Sequence, residues 1–226
     1  MAKLRHLRTL FERIARVDAG RGRVLVMRAR AAGLFTTGGR GVNAPDMTAR
    51  DATNTLLLAL QMEPPGEAAD AVAALRELPL VHLRHDPGDR TGRTMTSQQY
   101  RKSGDEGLEL LPEAFGGKWP ANLGDALDLL FSQKSDTFLN RWDQISHLRT
   151  DHSVVYLELA DADYEPSNQW QTGPRAWKLI FWATSREHDE LGAWTTKKVY
   201  AEALRALRDL IHDPTPEEAD EVLADG

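Results

Sequence analysis

Apolar residues recur at helical spacing through the first sixty positions of the chain. Leu4, Leu7, Phe11 and Ile14 fall three or four apart, with Ala15 beside the last. This is the period of one helix face, and it predicts a helix over residues 3–17. Lys3, Arg5, Arg8, Arg13 and Arg16 mostly take the other positions. Asp18-Ala19-Gly20 interrupts the pattern. A second helix is expected over 21–32, stopped by Gly33 and weakened by Gly22 in its first turn. Leu34 and Phe35 would anchor its exit into the core. The run TTGGRGVNAP that follows ends in proline and reads as a tight hairpin or a loop. A third helix opens at Thr48, where Thr48-Ala49-Arg50-Asp51 has the form of a capping box with Asp in place of Glu. It runs to about Gln61 with Ala52, Leu56, Ala59 and Leu60 apolar, and Leu57 and Leu58 widen the face. Pro64-Pro65-Gly66 then breaks the chain.

Beyond this break the pattern is less regular. Residues 67–77 suit a short Ala-rich helix, and from Pro79 to about Pro120 the periodicity dissolves between the turn clusters HDPGDRTGR and FGGKWP. A stretch of that length without structure is uncommon in a compact domain. A helix is expected over 122–133, capped by Asn122, with a second over 136–148. Val154–Ala160 and Ala176–Ala183 alternate as strands, with Trp177, Leu179 and Phe181 on one face of the second, and would pair as a long hairpin. A closing helix is expected over 196–212, on Tyr200, Ala203, Leu207, Leu210 and Ile211, ended by Pro214 and Pro216. The tail after it is acidic.

Charge changes the picture. Residues 1–50 hold 11 Lys+Arg and 3 Asp+Glu, a net of +8, whereas residues 51–226 hold 17 and 31, a net of −14. Such a split points to nucleic-acid contact by the basic part; the alternative is a basic helix that pairs with the acidic body. With no cysteine, disulfides, thiolate metal sites and Cys nucleophiles are excluded. The N-terminus lacks the apolar stretch of a signal peptide, and the longest apolar run, Leu56–Leu60, is too short to span a bilayer. The expected location is cytoplasmic, with no membrane partner.

The order of pieces in the first sixty residues resembles the winged helix-turn-helix of the MerR-type regulators. The matching pieces are Ile14-Ala15 near the end of the first helix, Arg28 in the second, Gly33-Leu34, Gly39-Arg40-Gly41 in the place of the wing, and Thr48-Ala49-Arg50-Asp51. The pattern is also similar to N-terminal segments of proteins of alphaproteobacterial phages and prophages. The resemblance covers about a quarter of the chain. It implies a DNA-binding geometry and not effector sensing, because the paired aromatics of that family's recognition helix are replaced by Val26 and Met27 and no long dimerising coiled coil follows.

The arginines fit this implication. Arg21 and Arg28, seven apart, share one helix face, and Arg23 and Arg30 share the opposite one. Guanidinium groups fork to phosphate or to a guanine edge. One pair is expected to read or straddle the groove while the other contacts flanking phosphate or the protein body. Arg40, among glycines, could approach a backbone closely.

Other clusters have plainer explanations. His82, His85, Asp86 and Asp89 could hold a divalent metal, but an Asp-Pro-Gly-Asp turn needs the same residues, and the turn is favoured. His147, Asp151 and His152 could form an acid–base pair, yet they stand where a helix should give way to a strand. Gly38-Gly39-Arg40-Gly41 could cradle a phosphate, but it lacks the Walker lysine and a preceding strand. Trp170, in a polar connection, suits either a partner contact or a cap over a sheet edge. The sequence therefore predicts an α+β protein dominated by helices. Residues 1–62 would form a basic, winged-helix-like DNA-binding module, and 67–226 an acidic interaction or oligomerisation domain holding a small antiparallel β-hairpin packed on helices. The expected partner is double-stranded DNA, read through Arg21, Arg23, Arg28, Arg30 and Arg40. The acidic half would oligomerise or bind a protein. No cofactor, metal or enzymatic activity is expected. The expected role is transcriptional regulation in a phage or mobile element. A phage packaging adaptor of the small-terminase kind is the alternative, and a metal-dependent nucleic-acid enzyme a third.

Overall fold

Leu7 and Phe11, one helical turn apart, are each 1% exposed and seat the first helix, α1 (Leu4–Ala15), on the rest of the molecule. The computed structural model describes residues 3–38, 45–61, 64–86, 93–96, 120–133, 147–151, 154–160, 176–182, 196–199 and 201–212. After α1 come α2 (Ala19–Ala31), α3 (Ala49–Leu60) and α4 (Ala68–Arg76), then β1 (Leu80–Asp86), β2 (Arg93–Thr96), α5 (Leu123–Ser132), β3 (His147–Asp151), β4 (Val154–Ala160), β5 (Ala176–Trp182), β6 (Thr196–Val199) and α6 (Ala201–His212). The described elements hold about twice as many residues in helices as in strands, an α+β protein dominated by helices. Among the described residues no helix is long and apolar enough to cross a membrane.

Helix α3 lies at the centre. It packs against α1, α4, α5 and α6, and every residue from Asp51 to Leu60 is buried. Its C-terminal half is leucine-rich, but its N-terminal half carries Asp51, Thr53, Asn54 and Thr55, and buried polar groups need partners. Asp51 is 1% exposed and accepts four hydrogen bonds. These come from the Thr36 backbone N–H at 2.7 Å and hydroxyl at 2.8 Å, and from the Thr48 N–H at 2.7 Å and hydroxyl at 2.8 Å. One carboxylate thus completes the expected capping box and also ties the exit of α2 to the entry of α3. The Asn54 side-chain amide donates to the Leu34 carbonyl. Its oxygen accepts from Arg76 Nη1 at 2.9 Å, and Arg76 Nη2 pairs with Asp128 Oδ2 at 2.6 Å. This chain links α3, α4 and α5. A Cβ at Gly124 would come within 3.0 Å of the Arg76 Cβ, so the glycine leaves room for the arginine. The Thr55 hydroxyl donates to the Asp51 carbonyl at 2.8 Å.

The strands form one antiparallel sheet in the order β2-β1-β5-β4-β3-β6. One row of its register runs Met95, Leu83, Leu179, Leu157, Leu148 and Val199, apolar on all six strands. Leu179, Leu157 and Val199 of that row are buried in the same cluster as the helices, as are Val155 and Phe181 of the next. The cluster continues across the break at 64–66, from Leu7 in α1 through α3 and α5 to Leu207 in α6.

Several elements depart from expectation. The strands expected at 154–160 and 176–183 are β4 and β5, paired antiparallel, but they are the centre of a six-stranded sheet and not a lone small hairpin. Strands β1 and β2 fall in the stretch where periodicity dissolved. Residues 196–199, expected to open the closing helix, are β6, and α6 starts at Ala201. His147 and Leu148, expected to end a helix, open β3; residues 136–146 lie outside the described residues. The reason is common to these errors. Segments such as LVHLRHD, RTMT, HLRTD and TKKV are short and carry charged residues, and their strand character comes from pairing with neighbouring strands more than from their own alternation.

Candidate nucleic-acid interface

The basic face is built on α1, a tight turn and α2. Helix α1 ends with the Val17 N–H bonded to the Glu12 carbonyl and the Arg16 N–H bonded to that of Arg13. This pair of bonds requires a left-handed residue, and Arg16 supplies it at φ 52. Two residues later Asp18 caps α2, its carboxylate accepting from the Arg21 N–H at 2.9 Å. That N–H, with smaller help from the Gly20 and Asp18 backbone N–H groups and least from the Arg21 charge, holds the Asp18 carboxyl below its ordinary pKa against the opposing effect of desolvation. Helix α2 closes as α1 does: the Leu34 N–H bonds the Ala29 carbonyl and the Gly33 N–H that of Arg30, with Gly33 at φ 79. Only residues 16–18 separate the two helices. The helices approach closely at Gly22, where a Cβ would lie 2.3 Å from Glu12 Cγ. The glycine that weakened the sequence-based assignment is thus what lets the helices meet. The helix also starts two residues earlier than expected, because Asp18-Ala19-Gly20 is its cap and first turn and not a break.

Gly22, Leu25, Val26 and Ala29 form the buried side of α2, at positions i, i+3, i+4 and i+7. At about 100° per residue, the opposite line runs through Gly20, Val24, Met27 and Ala31. Arg23 and Arg30 flank that line on one side, and Arg21 and Arg28 on the other. All four arginines are exposed. Among the described residues none of their side chains takes part in a hydrogen bond or ion pair, so the alternative in which they pair with the acidic body finds no described partner. Arg28 leans toward the 64–67 turn: a Cβ at Gly66 would lie 3.3 Å from its Nη1. Arg40 and the rest of Gly39-Arg40-Gly41 lie outside the described residues, as do Asp89, His152 and Trp170. No strand is present among the described residues between α2 and α3.

Val24 and Met27 were missed as surface residues. They are the exposed large hydrophobic side chains among the described residues, at 45% and 59%. Marking Gly22, Leu25, Val26 and Ala29 as one face would have placed both on the other. Val26, which stands beside Met27 where the resemblance set the paired aromatics, is buried.

The histidine clusters are not brought together. His82, His85 and Asp86 are on β1, and His147 and Asp151 on β3. β5 and β4 lie between these strands, three strand spacings or about 14 Å. Among the described residues no group of three or more His, Asp or Glu side chains is placed to hold a metal ion. Comparison with protein-family models, with curated proteins and with solved structures gives no match, so the functional reading rests on this geometry.

Proposed function

We propose that the protein binds double-stranded DNA through the outer face of α2, as a sequence-dependent regulator. The observation that carries this reading is the set of four exposed arginines without described ion pairs, arranged in two rows on opposite flanks of the exposed side of α2. Four cations on a thirteen-residue helix repel one another, and that repulsion is relieved when a polyanion covers them. A helix of this diameter fits the major groove, and the two rows then face the phosphates on either side. All four arginines are exposed, with Arg28 inclined toward the 64–67 turn.

The test is a fluorescence-anisotropy titration of the full chain against a random duplex pool, with enrichment and sequencing, across a range of salt. Binding should weaken as salt rises, because each phosphate contact releases counterions. Replacing Arg23 and Arg30 by Ala should lower the salt slope by roughly 2, about one per contact. A recovered motif supports a regulator. Salt-sensitive binding with no motif favours the packaging adaptor, and affinity indifferent to both salt and the arginines rejects the interface.

A further inference from the structure

The two arginine rows leave the centre of the face to residues that carry no charge. Gly20 and Ala31 are small, and between them Val24 and Met27 stand one turn apart, exposed among arginines. A contiguous exposed apolar ridge can mark a contact surface, and neither residue belongs to the buried core. Their setting restricts the occupant. An apolar protein surface would have to desolvate the flanking guanidinium groups, at a cost that only matched anions offset. The floor of the DNA major groove is different: it combines an apolar element, the thymine C5-methyl group, with phosphates on both sides within reach of arginine.

We propose that Val24 and Met27 read thymine methyl groups in the major groove, while Arg21, Arg28, Arg23 and Arg30 hold the phosphates that flank it. This rests on the DNA-binding reading and assigns its specificity. The preferred site contains thymines spaced to meet two side chains one helical turn apart. Phosphate contacts carry affinity and orientation, and base contacts carry sequence, so the two groups of residues should fail in different ways.

The experiment uses the full chain and the duplex recovered by enrichment, with each thymine replaced in turn by deoxyuridine, which lacks only the methyl group. Wild type should lose about fourfold in affinity at one or two positions, the worth of one buried methyl. Met27→Ala and Val24→Ala should bind the thymine duplex about fourfold more weakly, be indifferent to deoxyuridine at one of those positions each, and keep the wild-type salt slope. Both changes raise helix propensity on an exposed face, and circular dichroism would confirm intact folding. Wild-type indifference to deoxyuridine at every position overturns the inference while leaving salt-sensitive DNA binding in place. Recovery of no site at all overturns it also. Absence of any salt-sensitive duplex binding overturns the DNA reading itself, and a loss of self-association in the two variants under that outcome would assign the ridge to a protein contact instead.

Discussion

Thr53 is 0% exposed, and its hydroxyl has no hydrogen-bond partner among the described residues. Its neighbours Asp51, Asn54 and Thr55 are all engaged, so this hydroxyl stands out in the polar half of α3. A buried hydroxyl without a partner costs about 1–3 kcal/mol. Thr53→Val keeps the shape and removes the group, and it should raise stability by about 1 kcal/mol in urea unfolding, with an unchanged m-value. A loss of stability would mean that the hydroxyl has a role in the native state. At this scale legibility followed sequence distance. The Thr48–Asp51 cap lies within one turn and was readable. The bonds that join Thr36 to Asp51, and Arg76 to Asn54 and Asp128, depend on packing of separate helices and left no local sign. The arginine rows were readable from periodicity alone, whereas the apolar ridge between them required knowing which side of α2 is buried.

Among the elements, α2 shows why a helix with two glycines in its first turn forms at all. Glycine there is unfavourable, and the Asp18 cap together with the close approach of Gly22 to Glu12 offsets it. The cap is titratable. Its carboxyl pKa is lowered in the native state, chiefly by the Arg21 N–H. Its stabilising effect is therefore full above the ordinary carboxylate value near about 4 and is lost as pH falls through the lower native value. Asp18→Asn, which caps without charge, should flatten the acid limb of Tm against pH in this region, while Asp18→Ala should lower Tm at neutral pH and flatten it as well. An acid limb identical to wild type in Asp18→Asn would show that the cap does not contribute to it. Strands β1, β2, β3 and β6 were illegible for the opposite reason: each is defined by its partners in the register, and its own residues carry too weak an alternation to separate it from a loop or a helix end. Strands β4 and β5, with longer alternating apolar runs, were readable by themselves.

In the whole molecule, the charge split and the proline break suggested that residues 1–62 form a separate unit, but the buried cluster crosses that break. Helix α3 takes its cover from α5 and α6 as well as from α1, so charge divides the chain where the core does not. Two outcomes are expected. The isolated segment 1–62 should lack a cooperative thermal transition by circular dichroism, and the full chain should unfold with coincident far-ultraviolet and tryptophan-fluorescence transitions. A folded 1–62 segment would establish an autonomous module. The placement of α3 also has a consequence for synthesis. Leu56, Leu57, Leu58 and Leu60 are made early, whereas α6 ends at His212. At about 5–20 residues per second, a ribosome needs on the order of 8–30 s to pass from one to the other. For that interval the nascent chain carries four leucines without their final cover, and a holdase chaperone bound there would protect the yield of native protein without touching its final stability.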